Sequence, residues 1–578
     1  MRLLHAATLK FQDFNESELP EYAILSHTWK AGEEVSFQDM SSPYLPTKTG
    51  YTKVTETCRL ALQYGLQFAW LDTCCIDKTS SAELSESINS MFRWYQKARV
   101  CIVYLDDLSP GTETRSGLTN CRWLTRGWTL QELLAPDNVQ FYDSAWIQRG
   151  SKGNFAAEIA EITGIPIDLI CNSMPIKYYS VARRMAWASR RNTTRLEDRA
   201  YCLLGLFDVN MPLIYGEGSK AFYRLQEEII RQKVDFTLFA WQPDRALSSS
   251  TDYCSILASS PTDFRECQNI QSFADDVEIG YSITTRGLEI TTHLIRVPLA
   301  NAEPSIDVDR KSRYVLRLGQ TTRTGITYDI GVYLRKIGTD LLMRETNPAV
   351  AIFPVTDRRS HRSTRVYKLC VATIQYLNAA LVAPIHPAFH IPIYDNIKVK
   401  TESQVPGGSW DHRNRICFTP SSRSTIVAYS FVASVGSSKL DFGVLFDFRR
   451  CLGIDPPRCL VIDKRKMESR LLFLVLQRNL NESMDWINVL EELPVIAKLT
   501  DRLVFEIEDK IYLISVSIGT EMFDIASRTV EGLAFDTESN VVEWPVLNID
   551  ITEASPSVVS NRTAISRPPE QQSHFLKN

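Results

Sequence analysis

The spacing of apolar and polar residues changes character twice along the chain. Between Tyr22 and Asp143, short apolar runs alternate with stretches whose apolar positions recur three and four apart. "YAILS" from Tyr22, "FAWLD" from Phe68, "VCIVYLDD" from Val100 and "VQFYD" from Val139 read as strands. Between them, "GYTKVTETCRLALQYG" sets Val54, Cys58, Ala61 and Leu62 on one helical stripe and closes on Gly65. Leu84, Ile88, Met91, Phe92 and Tyr95 form a second stripe behind a Ser80/Glu83 capping box, and "TLQELLA" makes a short third helix. The order β-α-β-α-β-α-β predicts an α/β domain, a parallel sheet with helices on both faces joined by right-handed crossovers.

From Asn154 to Lys233 the helical period dominates, in "FAAEIAEITG", "YYSVARRMAWASRR", "LEDRAYCLLGLF" and "SKAFYRLQEEIIRQ". Past Trp241 the runs alternate with period two, as in "YSITTRGLEITTHLI", "YDIGVYLRKI", "STIVAYSFVAS" and "IYLISVSI", which predicts a mainly β region, a sandwich or barrel. The expected organisation is an α/β core over 1–150, a helical extension over 151–242, a β-rich domain over 243–552 and a disordered tail over 553–578.

With 578 residues the chain exceeds what one core accommodates, so several domains are expected. A net charge of −4 supplies no general attraction to nucleic acid or anionic membrane. The amino terminus lacks the apolar core of a secretory signal, and the longest apolar runs, such as "LLFLVLQ", fall well short of the ~20 residues a spanning helix needs. A cytoplasmic protein is expected. Thirteen cysteines, an odd and scattered set, read as reduced core residues, and the neighbours Cys74 and Cys75 lack the spacing of a redox pair.

In open α/β sheets, ligands bind at the carboxyl ends of the strands. That edge collects Ser26, His27 and Trp29 after the first strand, Asp72 to Asp77 after the second, Asp106 and Asp107 after the third and Asp143 after the fourth. Glu132 falls within a turn of the third helix's start if Thr129 is the N-cap, which aims it at the same edge. A structural reading stands beside this one: a glutamate there favours the helix dipole and can pair with Arg122 or Arg126. Adjacent Ser26 and His27 diverge on a strand and make a poor hydrolase triad. "GEGSK" from Gly216 lacks the spacing of a phosphate loop and reads as a helix-start turn, and "HPAFH" from His386 is a poor zinc site. The arginines at 183, 184, 190, 191, 195 and 199 read as a solvated face.

"YAILSHTW", "WLDTCCIDKTSSAELSESINSMFRWYQKARVCIVYLDD", "RGWTLQELLAP" and "RLEDRAYCLLGLFDVNMPLIYGEGSKAFYRLQEEII" together closely resemble the fungal heterokaryon incompatibility (HET) domain family, over about Tyr22 to Trp241. The resemblance implies an effector of nonself recognition that triggers regulated cell death, meets a nonself-recognition partner protein and self-associates through the HET domain. HET domains are in turn remotely similar to TIR domains, which implies a flavodoxin-like fold. In TIR enzymes that cleave NAD, a glutamate follows the third buried strand in a W-C-x-x-E-L context. Glu132 in "GWTLQEL" stands at the matching position, with Thr129 in place of the cysteine and a longer preceding loop. The analogy implies Glu132 as the essential carboxylate, Trp29 or Trp128 as a stacking platform, and Ser26, His27 and Asp77 as ribose or phosphate contacts. NAD would be a substrate, and no cofactor or metal is expected. The rival implication is a non-enzymatic adaptor that signals by HET-domain self-association.

Overall fold

A computed structural model describes residues 1–243 without interruption and, between 253 and 554, a series of strands and short segments. Two compact units emerge: Met1–Arg296 with Tyr314–Leu334 and Arg344–Tyr376, and Val297–Arg313 with Arg335–Met343 and Leu377–Asn578.

The first unit is organised by a seven-stranded sheet. Its elements are β1 (Arg2–His5), β2 (Phe11–Asp13), β3 (Tyr22–His27), α1 (Tyr51–Gln63), β4 (Phe68–Trp70), α2 (Ser81–Lys97) and β5 (Val100–Tyr104). There follow α3 (Thr114–Leu118), α4 (Thr129–Leu134), β6 (Val139–Tyr142) and β7 (Gln148–Ser151). The strand order is β2-β1-β4-β3-β5-β6-β7. β3, β4, β5 and β6, the four strands the alternation predicts, are parallel to one another, with Ile24 level with both Trp70 and Cys101. The sheet as a whole is mixed, because β1 and β2 add antiparallel to one edge and β7 to the other. These edge strands are only three or four residues long, too short for a period-two pattern to register.

The chain moves from β3 outward to β4, then back across β3 to β5. With right-handed crossovers, α1 therefore lies on one face and α2 and α4 on the other. Every residue of β3 is buried, as a central strand covered on both sides requires. On α1 the buried set includes Val54, Cys58 and Ala61, and Gly65 follows with φ +76°, a left-handed conformation that glycine adopts without strain. On α2 the buried stripe is Ile88, Met91, Trp94 and Tyr95. The Ser80 hydroxyl accepts from the Glu83 amide, but only half of the expected capping box forms. Glu83 instead accepts from the Asp77 amide at 2.8 Å and from Arg2 at 2.7 Å, which ties β1 to the start of α2.

The helical segment supplies α5 (Ala156–Thr163), α6 (Ile167–Ile170), α7 (Val181–Ala188), α8 (Asp198–Tyr201), α9 (Leu204–Phe207) and α10 (Lys220–Gln232). α9 presses against α2 at Gly205, where a Cβ would lie 2.1 Å from the Phe92 Cβ. The arginines of this segment depart from the expected solvated face. Arg184 is buried, donates to the Leu206 carbonyl at 2.9 Å and lies over the Phe207 ring, and Arg191 is buried as well. "GEGSK" does form the turn before α10, and its Gly216 and Gly218 amides are taken up by the Glu197 carboxylate at 2.8 and 3.1 Å.

The same unit carries antiparallel strands, among them Gly287–His293 paired with Val366–Ala372. Arg344 is wholly buried over the Trp241 ring at 3.9 Å and donates to the carbonyls of Phe239 and Trp241. In the second unit, strands Ile426–Val435, Ser438–Asp447 and Arg458–Asp463 form one antiparallel run and Thr500–Ile507, Lys510–Asp524 and Val541–Ala554 another. Phe431, Leu440, Phe442 and Val444 from the first run share a core with Tyr512, Ile514, Val516, Leu547 and Ile549 from the second. "LLFLVLQ" and the tail beyond residue 554 lie outside the described residues, as do the side chains of "HPAFH". Among the described residues no helix is long and apolar enough to cross a membrane.

Candidate functional site

The strand order places the switch in connection direction between β3 and β5, so the crevice at their carboxyl ends is where an α/β sheet of this kind opens. Ser26 is the penultimate residue of β3, and α4 crosses the same end on its way from β5 to β6. The Ser26 hydroxyl donates to Oε2 of Glu132 and accepts from the Trp123 indole N–H at 2.7 Å. Tyr95, from α2, donates to the Leu25 carbonyl at 2.9 Å and lies beside the same carboxylate. Neither Arg122 nor Arg126 pairs with Glu132. Arg122 binds Asp106 at 3.1 Å, and Arg126 donates to the Thr194 hydroxyl.

Glu132 is only 7% exposed. Burial pushes its carboxyl up to about 8, and the nearby Asp72 adds to the rise, while Ser26, Arg191 and Tyr95 oppose it. An acid so perturbed, at the functional edge of a sheet, is where a catalytic role is sought first. The expected cap is displaced by one residue: Trp128 occupies the N-cap position of α4 with a helical backbone. The Thr129 hydroxyl turns backward instead, onto the carbonyls of Trp123 and Arg126.

His27 points away from Ser26, as alternation on a strand demands, and stands 3.4 Å from Glu34. Burial opposes ionisation of Glu34, but the nearby His27 and hydrogen bonds from Lys53 and the Lys30 amide bring its carboxyl down to about 2. Lys53 reaches Glu34 at 2.5 Å from α1. Trp29 is half exposed, with its indole N–H on Asp72 at 3.0 Å and the Lys78 ammonium 3.6 Å above its ring. Thr28 and Arg122 both donate to Asp106, and Lys30 pairs with it at 3.1 Å. Ser26, Trp29, Asp72, Asp106 and Glu132 thus belong to one polar rim.

Two of the expected contacts lie elsewhere. Asp77 accepts from Gln38 and from the amide and hydroxyl of Thr79, a turn that fastens the approach to α2. Trp128 is half buried against Asp198 of the helical segment. Sequence reasoning missed Tyr95, Glu34, Lys53 and Arg191. Only the first carried a signal, its place on the buried stripe of α2. Among the described residues no cluster of His, Cys, Asp and Glu is arranged to hold a metal ion.

A helix-flanked sheet with a buried carboxylate at its strand-order switch defines the class, and comparison supplies the family. The family described as Heterokaryon incompatibility protein (HET) matches residues 22–116, and the chain is a HET-domain protein. Vegetative incompatibility protein HET-E-1 of Podospora anserina is 47% identical over 227 residues, 38% of this chain. The chain covers 17% of that relative's length. A second family, Domain of unknown function (DUF8212), matches residues 220–314, and no solved structure matches significantly. Glu132 lies beyond the residues matched by the HET family.

Proposed function

We propose that this protein is a heterokaryon incompatibility effector of nonself recognition in a fungal cytoplasm, triggering regulated cell death by hydrolysing NAD through a TIR-like, flavodoxin-like domain. The 2-1-3-4 order of the four parallel strands, counted along the chain, supports the flavodoxin-like reading. The observation that carries the enzymatic reading is Glu132, a buried carboxylate joined to Ser26 at the switch point.

Cleavage of the ribosyl–nicotinamide bond lets nicotinamide leave as a neutral molecule, taking the C–N electron pair, and develops an oxocarbenium ion at the ribose carbon. Water then adds to that carbon and yields its proton to the carboxylate. One ionised carboxylate beside the cation stabilises the transition state more than the ground state. Glu132, pushed up to about 8, is mostly protonated at neutral pH in the free protein. A bound nicotinamide cation favours the ionised form, so substrate binding and proton release are linked. Trp29, with Asp72 fixing its indole edge, is the stacking platform for the ring. Ser26 orients the carboxylate, and His27 acts from the neighbouring strand position through Glu34.

NAD content is measured over time in cells expressing the full chain or Glu132→Gln at matched levels. Loss with the parent alone supports the reading. Steady NAD in cells that nevertheless die favours the second reading, a non-enzymatic adaptor that self-associates and meets its nonself partner protein through the HET domain. In that alternative Glu132, buried and bonded to Ser26, is a structural carboxyl.

A further inference from the structure

We infer that Arg191 is the positioning residue of Glu132, clamping the start of α4 against the sheet edge. The inference rests on the reading of Glu132 as the site carboxylate, and it concerns a residue that no motif of the sequence marks. Arg191 lies in the turn after α7, and its guanidinium donates from Nη1 to the Arg126 carbonyl at 2.9 Å and to the Thr129 hydroxyl at 3.0 Å. Thr129 passes the contact to the Trp123 carbonyl, and the Trp123 indole donates to Ser26, whose hydroxyl meets Glu132. A continuous network therefore runs from the helical segment to the carboxylate.

The backbone repeats the clamp. The Asn192 amide donates to the Thr125 carbonyl at 2.7 Å, and the Gly127 amide donates to the Asn192 carbonyl at 2.9 Å, a short parallel bridge against the turn that starts α4. Gly127 permits this approach, because a Cβ there would meet the Thr193 methyl at 2.5 Å and the Cys202 sulfur at 3.1 Å. A buried arginine is expensive unless its charge and donors are used. Nη2 of Arg191 has no hydrogen-bond partner, so the local bonds alone do not account for the charge. The groups facing Glu132 are Asp72 beyond β4, Tyr95 from α2, Ser26 from β3, Cys101 from β5 and Arg191. Arg191 is the one cation among them, and it acts on the carboxylate through space while holding its helix in place.

The test uses the purified full chain with Arg191→Met, an apolar replacement of similar reach, and Arg191→Lys, which keeps the charge. The Glu132 carboxyl is followed by infrared difference spectroscopy across pH, identified as the band absent in Glu132→Gln, and NAD turnover is followed in parallel. In folded Arg191→Met the carboxyl midpoint rises by about one pH unit, the scale expected for loss of a neighbouring opposite charge. Turnover at neutral pH falls about tenfold, mainly in kcat, with recovery at higher pH. Arg191→Lys restores the midpoint. A midpoint that rises in a parent without turnover sustains the positioning role and removes the NAD reading. An unmoved midpoint in folded Arg191→Met overturns the inference. Should Arg191→Met not fold, Arg191→Gln takes its place, since it keeps an N–H donor for the Arg126 carbonyl and the Thr129 hydroxyl while removing the charge: a raised carboxyl midpoint supports the inference and an unmoved one overturns it.

Discussion

Ser26 and Glu132, separated by 106 residues, share one hydrogen bond at the carboxyl end of the parallel sheet, with Ser26 as donor. The serine hydroxyl also accepts from Trp123, so a single oxygen ties the strand β3, the turn before α4 and the buried acid together. Three segments that meet only in the folded chain converge on this point.

Replacing that hydroxyl tests the link. Ser26→Ala removes a donor that favours the ionised carboxylate, so the Glu132 carboxyl rises further above about 8. It also leaves the buried Trp123 N–H without its acceptor, a loss of about 1–3 kcal/mol. The expected outcome is a lower thermal midpoint together with NAD turnover that moves to more alkaline pH. A lower midpoint with an unmoved pH profile would confine Ser26 to a structural role.

Glu132 also leaves a signature in stability. Its carboxyl titrates near 4.5 when unfolded and at about 8 when folded. The folded state therefore binds the extra proton in this window, and the contribution is present in full below about 4.5 and lost as pH rises through about 8. Each pH unit inside the window costs up to about 1.4 kcal/mol. Glu132→Gln, permanently neutral, escapes that loss. Thermal melts at pH 5 and pH 8 should show the variant gaining on the parent at the higher pH, and parallel shifts at both values would contradict a raised carboxyl.

Much of this arrangement is legible from residue order alone, and the rest has identifiable reasons for being hidden. The four parallel strands and the stripe of Ile88, Met91 and Tyr95 follow from local periodicity, which burial of both sheet faces amplifies. The placement of Glu132 at the carboxyl edge follows from the strand–helix alternation. The partner of Glu132 does not, because the Ser26 contact depends on tertiary closure and Arg122 and Arg126 are equally plausible by spacing. Arg184 and Arg191 mislead for a related reason: charge predicts solvent, whereas Leu206 and Arg126 supply buried carbonyls that only the fold brings within reach. β1 and β2 escape notice because their registers are set by pairing, β1 with β4 and β2 with β1, not by their own few residues.

Glu34 behaves oppositely to Glu132. Its carboxyl lies at about 2 in the fold against 4.5 unfolded, so the stability it confers is present above about 4.5 and lost as pH falls through about 2. Glu34→Gln leaves the buried Lys53 ammonium facing a neutral amide, which should cost about 1–3 kcal/mol at pH 7. Chemical denaturation at pH 7 and pH 3 checks this. The gap between parent and variant should narrow at the lower pH, and an equal gap at both would assign the loss to packing.

The hydrogen bond from the Gly127 amide to the Asn192 carbonyl makes a prediction that separates close approach from general fragility. A methyl group at residue 127 would lie 2.5 Å from the Thr193 Cγ2, with the buried Cys202 sulfur 3.1 Å away. Overpacking of this kind typically costs about 1–3 kcal/mol, so Gly127→Ala should lower the thermal midpoint and loosen the start of α4. Thr193→Ser deletes the clashing methyl and keeps the hydroxyl, which donates to the Arg195 carbonyl at 2.6 Å. The double variant should then recover part of the loss, a favourable coupling of about 0.5 kcal/mol or more. Additive losses in the two single variants would place the strain elsewhere in the turn, whereas recovery would show that the helical segment reaches Glu132 through a contact one methyl group wide.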